Sequence, residues 1–170
     1  MTAATNATTH RLALHAAALA TLGTCPTWDK AVTEYLARAA LATADEAFGT
    51  SWQKRYDLEM AEHALASEHG KHWRDRPDLA PRARELARAD DAIADERAAV
   101  FQNPTEEAAH ELVRIPAPTI AAALLKVELI DRHQLWDDVR FETDGLAIVH
   151  ADIARISGIA PSDSAPAKAA

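Results

Sequence analysis

Residues 27–49 read TWDKAVTEYLARAALATADEAFG, and this stretch decides the fold class. Thr27 stands where an N-cap belongs, Asp29 sits in the first turn, and Gly49 is a stop. Between them Trp28, Tyr35 and Ala42 recur every seven residues, with Val32 and Ala39 interleaved. That period lays one narrow apolar seam along a helix and turns it to a neighbour. Alanine fills nearly a quarter of the 170 residues. It is the best helix former and lets helices approach closely. The expected fold is all-α: an antiparallel helical bundle built on two long helices with several shorter C-terminal helices.

Moving outward, a second helix is expected from about Trp52 to His69, capped by Ser51 and ended by Gly70. Trp52, Tyr56, Met60 and His63 share one of its sides, and Leu58 and Leu65 lie on another, so it faces two partners. Residues 70–80 form a polar connection in which Trp73 should tuck back onto the bundle. A long helix then runs from near Pro81 to about Gln102, with Leu79, Leu86, Ile93 and Val100 at a heptad interval. The complementary row, Ala83, Asp90 and Arg97, is only half apolar, which favours a hairpin over a long two-stranded coil.

Asn103-Pro104-Thr105-Glu106 reads as a fresh helix start with Asn103 as cap, and Pro116 ends that helix near Arg114. Pro118 or Thr119 opens the next, with Ile120, Leu124 and Val127 on one face, fading by about Leu135. The last runs from about Glu142 to Ser157 with Leu146, Val149, Ile153 and Ile156 inward, and Gly158 terminates it. Residues 1–9 and 158–170 are small, polar or proline-containing and read as disordered, leaving 10–157 as a single helical domain.

The net charge of -8 argues against a nucleic-acid partner, which needs a surplus of Lys and Arg on one face. Between Arg84 and Glu107 there are three basic and seven acidic residues. A helix-turn-helix over 119–157 is opposed by Asp131, Asp137, Asp138, Glu142 and Asp144, which would crowd the phosphates. No apolar run is long enough to span a membrane. Residues 12–25 make a short apolar stretch ending in Leu22-Gly23-Thr24-Cys25, a poor match to a lipoprotein cleavage box. With one cysteine no intramolecular disulfide forms, and a cytoplasmic location is expected.

Complete catalytic constellations are missing from the sequence. Cys25 has no adjacent base to lower its pKa, and five glycines are too few for phosphate cradles. Glu107 and His110 stand three apart on a helix, the spacing that di-iron carboxylate bundles use twice. Here the motif occurs once, and Glu34, Glu62 and His63 are the further candidate ligands. His63, His69 and His72 with Glu62 and Glu68 form a second polar cluster, read as a solvated helix end. No cofactor is implied.

The segment Ile115–Ile130, with Pro116, Ala117, Pro118, Thr119, Leu124 and Lys126, resembles a phrase found in small uncharacterised α-helical proteins of alphaproteobacteria, some phage- or mobile-element-associated. The resemblance implies a helical fold and carries no activity. The expected function is a non-catalytic helical interaction or accessory protein, self-associating as a homodimer or bound to a protein partner. Trp28, Tyr35, Leu86, Ile93 and Val100 are its expected contact residues. Two alternatives stand beside it: a metal-dependent helical-bundle enzyme around Glu107 and His110, and an acidic decoy for a nucleic-acid-binding protein through Asp90, Asp91, Asp95 and Glu96.

Overall fold

The computed structural model describes residues 13–136, 138–141 and 143–159. Helical residues 13–19 (α1) precede α2 (Pro26–Phe48), α3 (Thr50–His69), a 3-10 turn (Trp73–Asp75) and α4 (Ala80–Arg97). A π turn (Ala98–Gln102), α5 (Asn103–Arg114), α6 (Ile120–His133) and α7 (Gly145–Ser157) follow. No strand occurs among the described residues, and the protein is all-α. No helix among them is long and apolar enough to cross a membrane. The tails expected at 1–9 and beyond 159 lie outside the described residues.

Where a single domain is expected over 10–157, the described residues fall into two compact units, one within 13–38 and 106–159 and the other 39–105. Both divisions fall inside helices, in α2 after Arg38 and in α5 after Thr105.

The first unit holds most of the core. Trp28, Val32 and Tyr35 of α2 are fully or almost fully buried, as are Leu112 and Val113 of α5 and Leu125, Leu129 and Ile130 of α6. The Trp28 indole N–H is not wasted: Nε1 donates to Thr21 Oγ1 at 2.9 Å. Helix α6 begins at Thr119, whose hydroxyl accepts from the Ala122 N–H at 3.2 Å, and it ends at Gln134 in the left-handed region. Its inward face is Ala122, Leu125, Lys126, Leu129 and Ile130, not the face expected from the sequence. Ile120 and Leu124 point outward, 41% and 57% exposed. Helix α7 is likewise less tidy than expected: Val149 is buried, Leu146 is 37% exposed, and the buried Asp152 joins the inner face.

Helix α7 packs on α6. It starts at Gly145, three residues later than the sequence suggested, because Asp144 supplies the cap and accepts from the Ala147 N–H at 2.8 Å. A β-carbon on Gly145 would lie 2.8 Å from the Leu135 carbonyl oxygen and 3.1 Å from Ile130 Cδ1, so a close backbone approach fixes glycine there.

The second unit is built from the end of α2, α3, the 3-10 turn, α4 and the π turn. Helix α3 packs against α4, and Trp73 is buried beside them, as expected. The cap of α3 corrects the sequence reading. Gly49, not Ser51, is the N-cap, and Ser51 lies within the helix. The acceptor comes from the preceding helix: Asp45 Oδ1 takes the Ser51 N–H at 3.2 Å. A side chain at position 49 would collide with that carboxylate and its Cα.

A second correction concerns Asn103. It caps nothing: its backbone is α-helical (φ -59°, ψ -44°), and α4 runs without interruption through the π turn into α5. The Asn103 N–H reaches back five residues to the Ala98 carbonyl. Pro104 explains the wide turn, since it has no N–H and its ring crowds the carbonyl four residues earlier. The Thr105 hydroxyl then donates to the Phe101 carbonyl at 2.6 Å.

Candidate functional site

Helix α5 places Glu107, His110 and Glu111 on one face, because residues three and four apart are neighbours on a helix. One ligand atom from each lies within 4.8 Å of the others. His110 is the unusual member. It is 2% exposed, stacked on Phe141 with ring centroids 4.4 Å apart and planes at 7°. Neither of its ring nitrogens has a hydrogen-bond partner among the described residues. Burial pushes its pKa down, and the nearby Arg140 pushes the same way, so the ring stays neutral at ordinary pH with a lone pair to offer. Its Nδ1 lies 3.8 Å from Glu111 Oε1.

Arg140 lies beside this cluster. Its Nη1 donates to Glu107 Oε2 at 2.9 Å, while Nε and Nη2 hold Asp138 as a fork at 2.9 and 2.5 Å. The hydrogen bonds from Arg140 hold the Asp138 carboxyl well below its usual range, at about 2. Chemically, this corner offers one neutral imidazole and two carboxylates, half-neutralised by a guanidinium. Those are donors for a cation.

The other proposed ligands are committed elsewhere. Glu34 accepts from Arg38 at 2.8 Å on the surface of α2, and Glu62 pairs with Arg74 at 2.5 Å in the second unit. His63 is exposed on α3. The second cluster is dispersed too: His72 lies 3.5 Å from Asp75, and His69 lies 3.6 Å from Glu68. Cys25 is a half-buried free thiol.

Two buried polar arrangements escaped the sequence reading. Lys126, with 0% exposure, donates to Asp152 Oδ2 at 2.5 Å, and Arg155 donates to the other oxygen at 3.0 Å. Arg155 also reaches the Ala117 carbonyl. Burial lowers the Lys126 pKa, and the hydrogen bond from Lys126 to Asp152 opposes that. The Lys126 ammonium also sits 6.0 Å from the centre of the Trp28 ring. In the second arrangement, the Tyr35 hydroxyl lies 3.2 Å from His133 Nε2, ring edge to ring face at 5.7 Å. Burial drives the His133 pKa down to about 4, with Arg132 adding to the shift. Nothing in the spacing of residues 26 or 98 apart marks such pairs.

The expected contact residues are mostly inside. Trp28 and Tyr35 belong to the core of the first unit, and Leu86 and Ile93 are buried in the second; Val100 is 55% exposed. An exposed apolar stripe lies instead on α3. Trp52, Tyr56 and Met60, each four residues from the next, are 44%, 46% and 49% exposed. Trp52 and Tyr56 stack on each other at 5.6 Å and 13°. Arg55 and Glu59 flank that stripe and are exposed. In comparisons with known proteins, no protein-family model, no curated protein and no solved structure matches this chain.

Proposed function

We propose that the protein is a non-catalytic helical interaction protein that self-associates through the Trp52–Tyr56–Met60 face of α3. One observation carries the reading. Among the described residues, the second unit buries only three large apolar side chains, Trp73, Leu86 and Ile93, while Leu41, Phe48, Trp52, Tyr56, Met60 and Val100 stay exposed. A helical pair with so small a core gains stability by covering its outer stripe. Aromatic residues and methionine are the side chains that interfaces favour at their centres.

The stripe is also self-complementary. A two-fold axis brings the same surface onto itself, so residue i of one copy meets residue j of the other and the reverse. With two copies of α3 running oppositely about position 57, Arg55 of each comes opposite Glu59 of the other. One Arg55–Glu59 pair then forms on each side of the axis.

Sedimentation or light scattering across the micromolar range tests this. The wild-type chain should dimerise, and Trp52→Glu should be monomeric with its helical circular dichroism retained. Arg55→Glu alone should weaken the dimer, and Arg55→Glu with Glu59→Arg should restore it. A wild-type chain that stays monomeric at high-micromolar concentration rejects the reading. A dimer indifferent to all three variants places the contact elsewhere.

A further inference from the structure

We propose that Glu107, His110 and Glu111 bind a divalent transition-metal ion, with Arg140 as the competing cation. The starting point is His110. Buried polar groups nearly always have a partner, and each exception calls for an explanation. Here both nitrogens of a 2% exposed imidazole lack one among the described residues. The ring is clamped against Phe141 and is directed at two carboxylates of its own helix. A metal ion completes the imidazole in the way the surrounding side chains do not.

The spacing suits one ion. Nitrogen and oxygen ligands sit about 2.0–2.2 Å from such a metal, so atoms sharing it lie up to roughly 4.4 Å apart. The three side chains already bring ligand atoms within 4.8 Å. Glu107 and Glu111 are 62% and 55% exposed, free to close the remaining few tenths of an ångström. One imidazole and two carboxylates, with no sulfur, select Zn2+, Mn2+, Fe2+, Co2+ or Ni2+ over Cu+, and the imidazole disfavours Ca2+ and Mg2+. Three protein ligands leave positions open to water or a small anion.

Arg140 gives the proposal its distinguishing prediction. Its guanidinium is forked on Asp138 and reaches Glu107 through a single nitrogen. Asp138 can keep Arg140 while Glu107 turns to the metal. Removing the guanidinium removes a positive charge next to the ion and frees Glu107.

The full chain, stripped with a chelator, is titrated with Co2+ and Zn2+ by calorimetry, and bound Co2+ is followed by its visible absorption. One equivalent should bind. Glu107→Gln changes an exposed residue and keeps the helix, so it tests ligation without unfolding; it should weaken binding at least about tenfold, the scale of loss seen even for outer-shell partners of metal sites. His110→Ala should abolish the Co2+ band. Arg140→Gln should tighten binding severalfold. The proposal is overturned by the absence of binding, or by a band that survives both Glu107→Gln and His110→Ala and disappears only when His63, His69 and His72 are replaced. Unchanged or weaker binding in Arg140→Gln overturns the competing role of that residue.

Discussion

At the scale of single residues, His133 sets a measurable pH dependence. In the folded chain it stays neutral down to about 4, while the unfolded chain takes up that proton near 6.5. The folded pKa is the lower one, so the unfolded state binds more protons between these values. The stability tied to His133 is therefore complete above about 6.5 and is lost as pH falls towards about 4, at up to about 1.4 kcal/mol per pH unit. Urea unfolding of wild type and His133→Gln over that range should give curves that converge as the pH drops. Gln keeps an acceptor for the Tyr35 hydroxyl and has no proton to gain. Parallel curves would mean that the ring is solvated in the folded state. Lys126 shows the same physics with an opposing contact: burial lowers its pKa, while Asp152 accepts from it at 2.5 Å and favours the charged form.

At the scale of elements, Pro104 separates two readings of one motif. As a first-turn residue after an Asn103 cap, its replacement by alanine would be close to neutral. As an interior residue behind the π turn, it withholds a ladder hydrogen bond, and Pro104→Ala should stabilise the chain by up to about 3 kcal/mol. Thermal unfolding decides between them; a variant of unchanged stability would restore the cap reading. The helices themselves were legible in the sequence. Gly70 and Gly158 end α3 and α7 at φ 86° and 68°, and Thr119 caps α6, all as their residue types suggest. What local grammar missed was non-local. The inner face of α6 was misjudged because Lys126 reads as a solvent residue until Asp152, on another helix, is seen to receive it. Asn103-Pro104 has every mark of a helix start, yet the helix continues through it in the π geometry. Of the candidate ligands, Glu107 and His110 come together because one helix carries both, whereas Glu34 pairs with Arg38, Glu62 pairs with Arg74 and His63 is exposed.

At the scale of the whole molecule, the two units differ in how much they bury. The first encloses Trp28, Tyr35, Leu112, Leu125, Leu129 and Ile130 almost completely, and the second encloses few large side chains. Amide hydrogen exchange should reflect this, with α3 and α4 opening more readily than α6. If self-association covers the α3 stripe, raising the protein concentration should slow exchange in α3 while leaving α6 unaffected. Mass-resolved exchange at two concentrations reads this directly; equal protection of α3 at both would count against a covered stripe. The sequestered amine of Lys126 offers a complementary clock. An acylating reagent meets the exposed amines at once, but reaches the Lys126 nitrogen, at 0% exposure, only after the first unit has opened around it and the nitrogen has given up its proton to solvent. The rate at which that one nitrogen is tagged therefore times the breathing of the core, without any engineered label.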